Sequence, residues 1–278
     1  MDYDENELSL AQTGLERLQE ILRGYNTVLI AYSGGVDSTF LCKAAVETLG
    51  TNAVAVTARS STYPVRELHE ARDFARKIGI RHLEIDSEEL NIPGFAQNDL
   101  NRCFYCKQEL FSKLVNLSAE LNLSEVLEGS NLDDNGDYRP GLRAAAALGI
   151  KSPMREAGLT KQMIRILSRN YGLPTWDKPS FACLSSRFPY GEVITHDKLR
   201  QVEKAEQYLF DLGFTQVRVR HHGQIARIEL LPSELPRLLD PALSKGIYQF
   251  FRNLGFQYTA ADISGYRTGS MNEVLQGQ

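Results

Sequence analysis

The most constraining stretch of this chain is a five-residue apolar run, 28–32 (VLIAY), that breaks into Ser33-Gly34-Gly35-Val36-Asp37-Ser38 and continues as a helical stretch over 38–49. A run this short, closed by glycines and followed by a helix, reads as a buried strand feeding a helix through a tight turn. The pattern recurs downstream. Residues 54–57 precede a helical stretch started by Pro64 and reaching Lys77, 83–86 and 126–129 supply two more runs, and 107–121 is helical between them. Short apolar strands alternating with helices predict an α/β fold built on a parallel sheet with helices on both faces. An amphipathic stretch at 6–23 is expected to pack outside that sheet.

The pattern changes after residue 190. Thr195 is a good N-cap for a helix through Leu212. Two alternating runs, 216–220 and 226–230, are joined by His221-His222-Gly223-Gln224 and read as a β-hairpin, with both histidines in the turn. A helical stretch at 243–253 and a run at 257–261 complete a small α+β unit. The expected division is a parallel-sheet domain over 1–191 and a smaller α+β domain over 192–278, with 176–191 as the junction. Of the 278 residues, 42% are hydrophobic and 24% charged, which excludes a disordered or fibrous chain. The formal charge of −4 gives no global attraction to nucleic acid or to an anionic membrane. The longest small-apolar run, 144–150, falls far short of the roughly 20 residues a spanning helix needs. The acidic start MDYDENELSL lacks an apolar signal core, so a cytoplasmic location is the expectation.

Glycines between a strand and a helix let backbone N–H groups approach phosphate oxygens closely, and the helix N-terminus adds partial positive charge. Ser33 and Ser38 supply further donors, and Asp37 is a candidate Mg²⁺ ligand. The loop lacks the G-K-[ST] ending of a Walker A motif, which disfavours ordinary γ-phosphoryl transfer. A glycine-rich turn with no ligand is the plain alternative. SGGVDS resembles the signature of the PP-loop ATP pyrophosphatases, an adenine nucleotide alpha hydrolase-like fold. That resemblance implies ATP bound at Ser33, Gly34, Gly35, Val36, Asp37 and Ser38, cleavage between the α and β phosphates, and AMP transferred to a substrate.

Four cysteines in so long a chain do not make a disulfide framework, and Cys103-Phe104-Tyr105-Cys106 as C-x-x-C reads as metal, redox or catalytic chemistry. Cys42, among Leu41, Ala44 and Ala45, is expected in the core. The segment 179–191 (PSFACLSSRFPYG) has proline near both ends and sets Cys183 beside serines and Arg187, a setting that favours a thiolate. A small buried cysteine in a loop fits the spacing equally well. Taken together, SGGVDS, the Arg102–Lys107 stretch RCFYCK and this segment make the chain similar, through nearly its whole length, to the LarE family of ATP-dependent sulfur transferases. The resemblance implies adenylation of pyridinium-3,5-dicarboxylate mononucleotide and exchange of carboxylate oxygen for sulfur, toward a nickel-pincer nucleotide. It makes Cys183 the nucleophile and sulfur donor. Alternatively, as in family members with three cysteines, Cys103, Cys106 and Cys183 would hold a [4Fe–4S] cluster that carries the donor sulfide. It also implies a homo-oligomer.

In Val217-Arg218-Val219-Arg220 the strand period of two turns both valines one way and both arginines the other, a cationic ledge able to grip a phosphate. From pattern alone a solvated strand face is the stronger reading. The family resemblance points instead to Arg218 and Arg220, with Ser186 and Arg187, as the substrate-phosphate site. Glu206 interrupts the apolar stripe Leu199, Val202 and Leu209, and a carboxylate there needs a partner or a task. Residues 129–134 (GSNLDD) follow a strand end, where sheet ligands bind. A tRNA-thiolating or amide-forming PP-loop enzyme, and a nucleotide-binding module that never cleaves ATP, stay open as alternatives.

Overall fold

Asp4 starts the first helix with a reciprocal cap: its carboxylate accepts from the Glu7 N–H at 2.7 Å while the Glu7 carboxylate accepts from the Asp4 N–H at 3.1 Å. From there α1 (Glu5–Tyr25) buries Ala11, Gly14, Leu15, Leu18 and Leu22, one stripe at helical spacing. The chain then alternates as the sequence predicts. β1 (Val28–Ala31), α2 (Val36–Leu49), β2 (Ala53–Arg59), α3 (Val65–Ile78) and β3 (Arg81–Asp86) are followed by α4 (Arg102–Glu120) and β4 (Glu125–Leu127). Next come α5 (Pro140–Ala147), α6 (Pro153–Glu156) and α7 (Lys161–Asn170). This computed structural model describes residues 3–134, 140–179 and 181–271; Ser180 of the segment 179–191 and residues 272–278 of the expected second domain lie outside them.

The four strands pair in parallel in the order β3-β2-β1-β4. Both faces are covered, so the central strands are apolar on each side. Val28, Ile30, Ala53 and Ala55 pack toward Leu18, Phe40 and Leu41, while Leu29, Val54 and Val56 pack toward Phe111 and Leu114 of α4. Each fully buried Val, Leu, Ile or Phe among them contributes roughly 1.5–3 kcal/mol. Cys42 is fully buried in the first of these clusters, where desolvation pushes its thiol well above the ordinary range. α4 begins five residues earlier than the sequence pattern suggests, so Cys103 and Cys106 stand on its first turn rather than in the loop before it.

The second unit gathers Ala182–Gln278 with a short excursion, Pro93–Leu100, that sequence order assigns elsewhere. The Asn98 side chain donates to the carbonyls of Phe188 and Pro189, at 3.3 and 2.6 Å, and Ile194 N–H donates to Ala96 O at 2.8 Å. These long-range hydrogen bonds tie 93–100 to the second unit. Within the unit, α8 (His196–Asp211) leads to β5 (Arg218–His222) and β6 (Ile225–Glu229), an antiparallel hairpin; α9 (Pro241–Asn253) and β7 (Tyr258–Ala261) follow, β7 parallel to β6. The hairpin turn is Gly223-Gln224 alone, because His221 and His222 belong to β5. His221 is buried against the Phe188 and Phe256 rings rather than presented in a turn. Val219 and Ile228 pack with Leu209 and Phe251 on one face of this sheet.

Candidate active site

The strand order reverses at β1, since β2 lies on one side of it and β4 on the other. In open parallel sheets ligands bind beyond the strand carboxyl ends at such a reversal. Residues 33–38 leave β1 there and 128–134 leave β4 beside them. Ser33 N–H donates to Ser38 Oγ at 3.2 Å, the two hydroxyls lie 3.1 Å apart, and Ser38 Oγ lies 3.4 Å from Gly35 O. The two serines therefore brace the turn across its mouth.

Gly34 is obligatory and Gly129 is tightly packed. Gly34 has φ +63°, and a Cβ there would lie 2.9 Å from the Ala71 Cβ of α3; a Cβ on Gly129 would lie 3.2 Å from Ser38 N at the start of α2. The first contact presses the loop backbone against α3, and the positive φ of Gly34 excludes an L side chain without strain. Two further side chains hold the outer wall. Tyr63 OH donates to Ser33 O at 2.7 Å. Lys178 Nζ donates to Gly34 O at 3.3 Å and to Glu67 Oε2 and Glu70 Oε2 at 2.7 Å each.

Asp37, in the first turn of α2, receives Lys161 Nζ at 2.5 Å on Oδ2 and Asn131 Nδ2 at 3.3 Å on Oδ1. Asp133 accepts from the Lys161 backbone N–H at 2.8 Å, and Asp134 from the Asn131 N–H at 3.0 Å. The 129–134 segment thus joins the glycine loop through Asn131. Neither Lys161 nor Lys178 nor Tyr63 carries a local motif; three chain segments meet only in the folded sheet. Asp37 is a hard carboxylate oxygen donor facing the loop, the type Mg²⁺ takes beside phosphates.

In the second unit the Cys183 segment closes on itself. Cys183 precedes a 3₁₀ turn (Leu184–Arg187) and its carbonyl accepts from the Ser186 N–H at 3.0 Å and Ser186 Oγ at 2.9 Å. Arg187, fully buried, donates Nη1 to the carbonyls of Ala182 and Cys183 at 2.9 and 3.3 Å and to Ser186 Oγ at 2.7 Å. Its Nε and Nη2 form a fork on Glu206 at 2.7 and 2.9 Å, and Glu206 Oε1 also accepts from Val219 N–H at 2.8 Å. Glu206 therefore has its partner: it orients Arg187 and ties α8 to β5. Burial pushes this carboxyl up, but the Arg187 charge and its hydrogen bonds, the Arg218 charge and the Val219 N–H outweigh it and hold the group below the ordinary carboxylate value.

The arginine ledge is not solvated. Arg218 and Arg220 are each 5% exposed. Burial first, then the Arg187 charge, pushes Arg218 down to about 10, against the pull of Glu206. Its guanidinium lies 5.2 Å from the Tyr266 ring centroid. Arg220 donates to Ser186 O at 3.0 Å, Glu229 Oε2 at 2.7 Å and Ser270 Oγ at 3.0 Å, and its Nε is a buried donor with no acceptor. A buried guanidinium with an unmet N–H suits an incoming anion. Glu229 and Ser270 were not legible as site residues, because the pairing that joins them to Arg220 crosses the sheet and 50 residues of chain.

Cys103 is exposed and Cys106 half-buried, with Cys106 Sγ 4.0 Å from Glu89 Oε1. Among the described residues, no three His, Cys, Asp or Glu side chains stand together to hold a metal ion. The first unit supplies two thiols, Cys103 and Cys106, fewer than the four a [4Fe–4S] cluster ordinarily takes. Nor is any helix among the described residues long and apolar enough to cross a membrane.

A family model described as NAD synthase matches residues 15–100, the segment from α1 through β3 that contains the glycine loop. Fold and loop define a PP-loop enzyme of the ATP-using kind. The chain is 44% identical over 266 residues to an uncharacterized protein of Synechocystis sp., covering 96% of this chain and 99% of that one. It is 36% identical over 255 residues to the pyridinium-3,5-bisthiocarboxylic acid mononucleotide synthase of Lactiplantibacillus plantarum, covering 91% and 92%. An uncharacterized protein of Methanocaldococcus jannaschii is 27% identical over 245 residues, 87% and 91% of the two chains. The chain belongs to the LarE family of sulfur transferases.

Proposed function

We propose that this protein adenylates a carboxylate of pyridinium-3,5-dicarboxylate mononucleotide and converts it to a thiocarboxylate, with Cys183 as nucleophile and sulfur donor. The observation that carries the proposal is full-length similarity to a synthase of the bisthiocarboxylic acid mononucleotide, joined to a glycine loop braced for phosphate. A carboxylate is a poor electrophile, whereas an acyl adenylate has AMP as its leaving group. Ser33, Gly34, Gly35, Val36 and Ser38 hold the ATP phosphates by N–H and O–H groups, and Asp37 would hold Mg²⁺, which neutralises phosphate charge when bound. The Cys183 thiolate displaces AMP to give a thioester. Removal of the Cα proton then breaks Cβ–S, leaving dehydroalanine on the chain and the thiocarboxylate on the substrate. Arg218 and Arg220, with Ser186 and the Arg187–Glu206 pair behind them, receive the substrate phosphate; the unmet Nε of Arg220 supports this role. A small nucleotide acid as substrate and a cytoplasmic site of action accord with this chemistry, and a homo-oligomer is the state the family resemblance implies.

Incubation with ATP, Mg²⁺ and the dicarboxylate nucleotide tests the reading. Pyrophosphate release is expected, followed by loss of about 34 Da, one H₂S, at Cys183 in the intact mass. Cys183→Ala retains pyrophosphate release and loses sulfur transfer. Loss of both together, or no pyrophosphate from the wild type, overturns the assignment. Repeated turnover at unchanged mass moves the sulfur source away from the Cys183 thiol and overturns its role as donor.

A further inference from the structure

We infer that Lys161 and Mg²⁺ are alternative partners of Asp37, and that the lysine, once displaced by the metal, brings its ammonium to the nucleotide phosphates. The inference rests on the ATP-using reading above and adds a residue that no sequence motif marks.

Lys161 is fixed at its base and free to swing at its tip. It is the first residue of α7, whose N-cap Thr160 accepts from Met163 N–H, and its own N–H is held by Asp133 at 2.8 Å. The Asp133 N–H in turn donates to Asn131 Oδ1 at 2.9 Å, so the lysine backbone is anchored to the turn that carries Asn131. Four methylenes separate that anchor from an ammonium 2.5 Å from Asp37 Oδ2. Asn131 Nδ2 takes the other oxygen, so Lys161 and Asn131 together engage both oxygens of the carboxylate.

The pair is placed to exchange. Its side chains are 34% and 25% exposed, for Lys161 and Asp37, so solvent and ions reach it, unlike the sealed Arg187–Glu206 pair. Mg²⁺ demands close, near-octahedral oxygen ligands and takes one or two carboxylates beside phosphates. A carboxylate oxygen in close contact with an ammonium cannot take the metal as well without releasing the cation. Asp37 lies in the first turn of α2, beside the N–H groups that receive the phosphates. A lysine released there carries a point charge toward an anion. Lys178 is built differently: two glutamates and a loop carbonyl hold its ammonium, so it braces the loop and does not travel.

The experiment is isothermal titration of the full-length protein with α,β-methylene-ATP across a Mg²⁺ series, for wild type, Lys161→Met and Lys161→Arg. Removing an ion pair of this exposure lowers the half-saturating Mg²⁺ concentration about two- to fivefold in Lys161→Met. Metal-free nucleotide affinity falls in the same variant, because Asp37 then faces the phosphates unneutralised, and Lys161→Arg restores it. Pyrophosphate release at saturating Mg²⁺ and ATP drops about tenfold or more in Lys161→Met. Lys161→Gln serves as the second variant should Lys161→Met fold poorly, and it is expected to shift the Mg²⁺ midpoint in the same direction. An unchanged or raised Mg²⁺ midpoint in the folded variants overturns the inference. If the wild type binds no nucleotide at any Mg²⁺ concentration, the ATP-using reading fails instead.

Discussion

Glu206→Ala is the substitution whose cost follows most directly from the structure. It removes a carboxylate that receives two bonds from the fork of Arg187 and one from the Val219 backbone, all between 2.7 and 2.9 Å. Arg187 has 0% exposed side chain and cannot turn to water for compensation. Breaking one side of a buried pair strands the other charge, which costs about 3–5 kcal/mol. The orphaned Val219 N–H adds about 1–3 kcal/mol, less than additively because the groups share one carboxylate. Against a typical total stability of roughly 5–15 kcal/mol this is a large fraction. Urea denaturation of the full-length protein reads the loss, and hydrogen exchange should rise first in 182–187 and in β5, the segments the pair joins. Replacing both partners, Arg187→Met with Glu206→Leu, is expected to recover part of the loss, because no stranded charge remains. A loss below about 1 kcal/mol for Glu206→Ala would refute the reasoning, since an exposed pair behaves that way.

Three further outcomes are expected. Gly34→Ala forces a Cβ to within 2.9 Å of Ala71 Cβ at φ +63° and should abolish nucleotide binding by titration, while leaving the C-terminal hairpin's exchange protection intact. The Glu206 carboxyl titrates below its ordinary 4.5 in the folded chain, because Arg187, Arg218 and Val219 outweigh the upward push of burial. Its stabilisation is therefore complete above about pH 4.5 and declines as pH falls through the lower folded value; the urea midpoint should fall in that acid range, and Glu206→Gln should flatten the fall. A separate decline sets in as pH falls below about 6.5 and belongs to His82, His221 and His222, which burial holds below the ordinary imidazole value.

Much of this protein is local information. The strand-glycine-helix succession from Val28 to Leu49 and the alternation after it dictate a parallel sheet, because short apolar runs buried on both faces have few other homes. Gly34 and Ser38 declare a phosphate turn for the same reason: backbone conformation and donor chemistry are properties of neighbours in sequence. Charge partnership is not. Val217-Arg218-Val219-Arg220 correctly alternates, yet the pattern reads as a solvated ledge, since burial of the arginine face depends on Glu206, Glu229 and Ser270, which lie up to 50 residues away. The same distance hides Lys161 from any motif, though it reaches Asp37 across 124 residues. Which face of a strand is apolar follows from its own residues; which acid meets which base is decided only when remote segments close on each other, because a Coulomb contact depends on spatial separation and not on order along the chain.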